Sequence, residues 1–133
     1  MTDQELFEIA IDVQNNAYAP YSGFKVGAVL VADGLMFSGC NVENISYGLT
    51  ICAERAAIAK AISSGKTSFE KLLIVGGDTM LYPCGACLQV LAEFQTDMKI
   101  TCANNKGEMK TYSLSDLLPH GFARAQLGGK NAD

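Results

Sequence analysis

Histidine is nearly missing from this sequence: His120 is the single one in 133 residues. A Ser-His-Asp or Cys-His nucleophilic site is therefore hard to assemble, and so is a metal site built on paired imidazoles. Basic residues are also few, 10 Lys and Arg against 14 Asp and Glu, for a net charge of −4. A polyanionic partner would meet repulsion, which argues against nucleic acid or an acidic membrane surface. No apolar run approaches the ~18 residues of a membrane span. The opening Met1-Thr2-Asp3-Gln4-Glu5 is acidic and polar, without the basic-then-apolar order of a secretory signal, so the cytoplasm is the expected compartment. Disulfides are rare there, and 5 cysteines are an odd number. Something other than oxidation should account for them.

What is present is ordinary globular material, 49% hydrophobic and 18% charged. The length suits one domain, expected over residues 1–127, with the glycine-rich 128–133 reading as a loose tail. Leu6, Ile9, Ala10, Val13 and Ala17 recur at helical spacing and predict a helix over 3–18, capped by Thr2 or Asp3. The apolar run 25–32 reads as a strand buried on both faces, Asp33-Gly34 as a hairpin turn, and 36–41 as the return strand. A second helix is expected at about 52–64, a buried strand at 72–75, and a third helix at about 84–95 carrying Cys87, Val90, Leu91 and Phe94 on one stripe. Strands at 99–103 and 108–113 and a helical turn near Ser115 to Leu118 complete the order. The alternation implies an α/β fold, a mixed five-stranded sheet between helices in three α-β-α layers.

The chemistry is concentrated in two places. Pro83-Cys84-Gly85-Ala86-Cys87 sets two thiols at a helix start, where free backbone N–H groups and the positive helix end favour thiolates. Alone, such a pair admits zinc ligation, redox exchange or inert burial. Cys52-Ala53-Glu54-Arg55 sets a third cysteine at the first turn of another helix, with a carboxylate two residues on. Together the three cysteines supply three ligands and leave a fourth position for water, the pattern of a catalytic zinc site rather than a closed one. The candidates for a fourth protein ligand are weak. Cys40 and Cys102 sit in expected strands and read as small buried residues, and His120 follows Pro119 in a late loop.

These motifs resemble the cytidine deaminase family, and in particular its short-chain branch, whose zinc is held by three cysteines. The zinc-deaminase signature runs His or Cys, any residue, Glu, then Pro-Cys-x-x-Cys. The likeness extends to Tyr18-Ala19-Pro20-Tyr21-Ser22, Phe24-Lys25-Val26-Gly27-Ala28, Gly39-Cys40-Asn41-Val42-Glu43-Asn44, and Leu117-Leu118-Pro119 with Phe122, in matching order over nearly the whole chain. It implies hydrolytic deamination of cytidine and deoxycytidine, with one Zn2+ per subunit on Cys52, Cys84 and Cys87. Glu54 would move protons between water, the pyrimidine N3 and the leaving amine. Three thiolates leave zinc with excess negative charge, which Arg55 and the two helix starts would temper. By the same resemblance Asn41 and Glu43 bind the ribose, Phe24 packs on the nucleoside, the Ala53 N–H meets the base oxygen, and Tyr47 lines the pocket. Phe122 would reach a neighbouring subunit's site in a homotetramer.

Three positions depart from the family pattern. Leu88 stands where an arginine is common, Tyr82 where a serine is usual, and the loop from Asp78 to Pro83 is shorter. They touch the rim around the base rather than the ligands. Rival readings are a same-fold deaminase of another amino-pyrimidine such as a blasticidin-type nucleoside, a non-catalytic zinc-stabilised binding module, and a thiol-redox protein. The last two leave Cys52 beside Glu54 without a purpose.

Overall fold

The computed structural model describes residues 1–94 and 97–127. The expected tail at 128–133 and position 95 of the expected third helix lie outside them. In chain order the elements are α1 (Asp3–Gln14), β1 (Gly27–Ala32), β2 (Leu35–Cys40), α2 (Ala53–Ser63), β3 (Phe69–Val75), α3 (Gly85–Phe94), β4 (Lys99–Ala103), β5 (Met109–Ser113) and the short α4 (Leu114–Leu117). The strands form one sheet in the order β2-β1-β3-β4-β5. Only β3 and β4 run parallel, joined by the α3 crossover; the other neighbours are antiparallel.

Strand alternation divides the core into two faces. Ala28, Leu30, Ala32, Leu72, Ile74, Ile100 and Cys102 pack against Ala53, Ala57, Ile58 and Ala61 of α2 and Leu88 and Leu91 of α3. Val29, Val31, Leu73, Val75 and Ala103 point the other way, onto Leu6 and Ala10 of α1. All six residues of β1 are buried because helices cover it on both sides. The result is the expected three-layer mixed sheet. Each fully buried leucine in it is worth about 1.5–3 kcal/mol.

Local chemistry sets the element ends. Thr2 caps α1 in a capping box with Glu5. Asp33 and Gly34 both take positive φ, 50° and 75°, the hairpin geometry that matches strand twist. The first helix is shorter than its apolar stripe predicts, ending at Gln14 rather than residue 18. Ala17 is buried although it lies beyond the helix, and the next residue is already paired with the returning chain: the Tyr18 N–H donates to the Asn41 carbonyl and the Tyr18 carbonyl accepts from the Glu43 N–H. Gln14 closes the helix as a buried amide, donating to the Lys25 carbonyl at 2.9 Å and to Asn105 Oδ1 at 3.1 Å. The first strand begins at 27 rather than 25, and β3 starts earlier, at Phe69.

The registers bring Gly27 opposite both Cys40 and Val75, and Val75 opposite Ala103. One end of the sheet therefore gathers the start of β1 and the ends of β2, β3 and β4. The connections at this end, 21–26, 41–52 and 76–84, and the first turns of α2 and α3 that follow them, carry most of the chemistry-bearing residues, at the strand ends where open α/β sheets bind ligands.

Candidate active site

Cys52 occupies the N-cap position of α2, and Cys84 occupies the same place for α3, its carbonyl accepting from the Leu88 N–H at 3.0 Å. Cys87 follows on the first turn of α3 and is buried. Two helix starts thus aim at one point. The three sulfurs lie within 4.8 Å of one another, and no fourth His, Cys, Asp or Glu joins them among the described residues. Cys84 and Cys87 are 3.5 Å apart. Tetrahedral zinc with Zn–S bonds of ~2.3 Å would space its sulfurs roughly 3.8 Å apart, so the cluster has the size and donor chemistry for that ion. Cys40, Cys102 and His120 stay out of it.

The α2 start approaches the sheet closely because small residues line the contact. Ala53, Ala57 and Ala61 face inward, and a Cβ on Gly39 would lie 2.6 Å from both the Ala53 carbonyl oxygen and the Ala57 nitrogen. That packing fixes where Cys52 and Glu54 stand.

Electrostatics within the cluster favour ionised sulfur. A hydrogen bond from Cys87, aided by Arg55, brings the Cys52 thiol down to about 5. Cys87, as the proton-holding partner of that bond, is pushed up. Arg55 places a terminal guanidinium nitrogen 3.5 Å from Cys52 Sγ, and its Nε is buried without a hydrogen-bond partner. A spare buried donor beside three thiols suits a site whose remaining sulfurs ionise when it takes up a cation. Leu88 is buried in the core, so that position contributes packing instead of a second positive charge.

Glu54 is 3% exposed. Burial, reinforced by the neighbouring Cys52 charge, raises its carboxyl to about 7. It opens on a cavity of about 290 Å³ also lined by Phe24, Asn41, Glu43, Cys52, Ala53, Cys84 and Tyr82. Of the residues singled out in the sequence, all of these converge. Tyr47 instead lines an adjoining depression of about 390 Å³ that shares Ser22, Glu43 and Thr50 with the cavity, its ring 6.2 Å from that of Tyr21. Phe122 reaches neither. It is 60% exposed, with both backbone polar groups held by the Gln89 side chain, and lines a separate cleft beside Leu118 and Pro119.

Asn41 and Glu43 do more than face the cavity. The Asn41 amide accepts from the Val26 N–H at 2.9 Å and donates to the Phe24 carbonyl at 2.8 Å. Glu43 accepts from the backbone N–H groups of Tyr21 and Ser22 and from the Ser22 hydroxyl, which together hold its carboxyl below the usual range. These side chains replace the hydrogen bonds that the irregular segment 21–26 lacks. Ser22, Thr50 and Leu81 also line the cavity, with no pocket role expected of them from sequence; Ser22 falls in a motif of the resemblance and Thr50 and Leu81 lie just before the cysteine motifs, but none of these residue types carries a binding signal of its own.

The comparisons agree with this site. The family model described as the cytidine and deoxycytidylate deaminase zinc-binding region matches residues 1–103. The chain is 42% identical over 130 residues to the cytidine deaminase of Sporosarcina psychrophila, covering 96% of each. It is 44% identical over 131 residues to that of Halalkalibacterium halodurans, covering 96% of this chain and 98% of the relative. The crystal structure of cytidine deaminase from Burkholderia pseudomallei superposes with a TM-score of 0.88 at 45% identity, over 92% of this chain and 100% of that one. On this agreement of sequence, fold and sulfur cluster, the chain belongs to the cytidine and deoxycytidylate deaminase family.

Proposed function

We propose that this chain hydrolyses cytidine and deoxycytidine to uridine and deoxyuridine, releasing ammonia. The observation that carries the reading is the open cluster of Cys52, Cys84 and Cys87 beside a buried Glu54 at the floor of a nucleoside-sized cavity. Those three cysteines would hold one zinc ion, which when bound supplies the Lewis acidity that activates water near neutral pH.

The protein's own groups do the rest. Glu54, whose carboxyl is lifted by burial to about 7 before any cation is bound, is the group placed to take and return a proton. It takes one proton from the attacking water and hands it to N3 of the ring; it then takes the second from the hydroxyl now on C4 and gives it to the amine, so that ammonia leaves as the C4–N bond breaks and the carbonyl forms. Arg55 donates to Cys52 Sγ and tempers the charge of the thiolates. Asn41 and Glu43 serve the ribose through the polar capacity that remains after they have strapped segment 21–26, since an amide and a carboxylate each offer further sites. Phe24 and the Ala53 N–H contact the nucleoside, and Tyr47 borders its sugar end.

The reading extends to assembly and compartment. Val42, Ile45, Tyr47, Leu49 and Ile51 form an exposed apolar stretch beside the site, from 44% to 79% exposed. Together with exposed Phe122, it supports a homotetramer in which Phe122 of a neighbouring subunit completes the cavity. Ligation needs Cys52, Cys84 and Cys87 reduced, which a cytoplasmic protein would secure. No described helix is long and apolar enough to cross a membrane.

The test couples metal analysis to the loss of cytidine absorbance on mixing. One zinc per chain together with turnover is the expected result. Full activity in metal-free protein would remove the basis of the proposal.

A further inference from the structure

We propose that Tyr82, held in place by Tyr112, is the residue that limits which substituents the pyrimidine can carry on the carbon next to the amine-bearing one. This rests on the deaminase reading above. Tyr82 lines the cavity two residues before Cys84, so it flanks the reacting end rather than the sugar end. Its hydroxyl lies 3.2 Å from that of Tyr112, with the two rings tilted at a centroid separation of 5.7 Å. Tyr112 belongs to β5, is partly buried against the core, and carries the Lys110 ammonium 5.1 Å above its ring. A loop side chain is thereby tied to the sheet, giving that part of the wall a fixed position.

The chemistry of the ring decides what this wall meets. Beside the carbon that loses its amine, a cytosine has a nitrogen on one side and a C–H on the other. Glu54 exchanges a proton with the nitrogen, so that edge faces α2. The carbon edge then faces away from α2, and in this proposal it meets Leu81 and Tyr82, which line the same cavity and offer hydrocarbon and an aromatic ring. An unsubstituted C–H fits against such a surface, and a methyl or larger group has to displace a ring that Tyr112 holds. A hydrophobic pocket separates substrates differing by one such group by roughly 10- to 200-fold.

The experiment compares kcat/KM for cytidine and 5-methylcytidine in the zinc-loaded wild type, Tyr82→Ser and Tyr112→Phe. The expected result is a ratio of 5-methylcytidine to cytidine that rises roughly tenfold or more in Tyr82→Ser. A smaller rise in the same direction is expected in Tyr112→Phe, which removes only the hydroxyl contact. A purely structural role would lower both substrates together and leave the ratio alone. A ratio within about twofold of wild type in both variants, with cytidine still consumed, would overturn the proposal and leave the deaminase reading standing. Should Tyr82→Ser fail to fold, the Tyr112→Phe ratio alone decides. If the wild type consumes neither nucleoside, it is the deaminase reading that falls.

Discussion

At Glu54 two influences act in one direction. Burial and a neighbouring sulfur charge both favour the protonated carboxyl, and the proposed reaction would use this carboxyl as its proton carrier. Glu54→Gln keeps the shape and removes the carrier, so the variant should retain one zinc per chain while losing about 10²- to 10⁴-fold in kcat. Metal analysis beside steady-state kinetics checks this; a variant that loses zinc would instead make Glu54 a ligand. The same raised value has a folding consequence. Chelated, metal-free protein binds the Glu54 proton more tightly folded than unfolded, so this contribution is complete below about 4.5 and is lost as pH rises toward about 7. The loss amounts to at most about 3 kcal/mol. Cys52, lowered to about 5, acts in the opposite sense, and comparison with Glu54→Gln separates the two. Denaturant melts of the two proteins should lie closest at the low end of this range and diverge as pH rises, because only the wild type loses this contribution; parallel curves would rule the effect out.

Among the elements, the seam between β2 and α2 governs the site. Gly39 lets the helix backbone approach, and its replacement by alanine would press a methyl into the Ala53 carbonyl and the Ala57 nitrogen. Gly39→Ala should therefore cost about 1–3 kcal/mol of stability and displace the α2 start, lowering zinc affinity as well as melting temperature. Titration with a competing chelator measures the second effect, and unaltered affinity would show that the start of α2 holds its place without this seam. Element by element, legibility followed how local the physics is. Cys52, Glu54, Cys84 and Cys87 could be read because two helix starts with thiols at fixed spacing are local patterns, and β4 matched its expected bounds because its apolar run is short and bracketed. The end of α1 was not legible, since just beyond it Tyr18 pairs with Asn41 and Glu43, a contact between distant residues. Gln14 reads as a surface amide until Lys25 and Asn105 are seen beside it. Asn41 could be matched to a nucleoside contact, but its bonds to Phe24 and Val26 exist only once the sheet is assembled.

On the scale of the whole molecule, the site lies beside a surface that water does not favour. Ile45 and Leu49 are 79% and 66% exposed in the isolated chain. If the proposed homotetramer uses this surface, placing aspartate at both should leave the fold intact, give smaller species in sedimentation, and lower kcat where copies share sites. Unchanged mass and kinetics would show that the surface has another purpose. The sulfur pair at the start of α3 bears on how the protein ages. With Cys84 open to solvent and only 3.5 Å from Cys87, a molecule stripped of its cation in air is poised to lock those two atoms together. Inactivation by chelators should then be reversible with zinc alone when oxygen is absent, and require dithiothreitol as well after exposure to air. The resident ion would thus also guard its own binding place against oxidation.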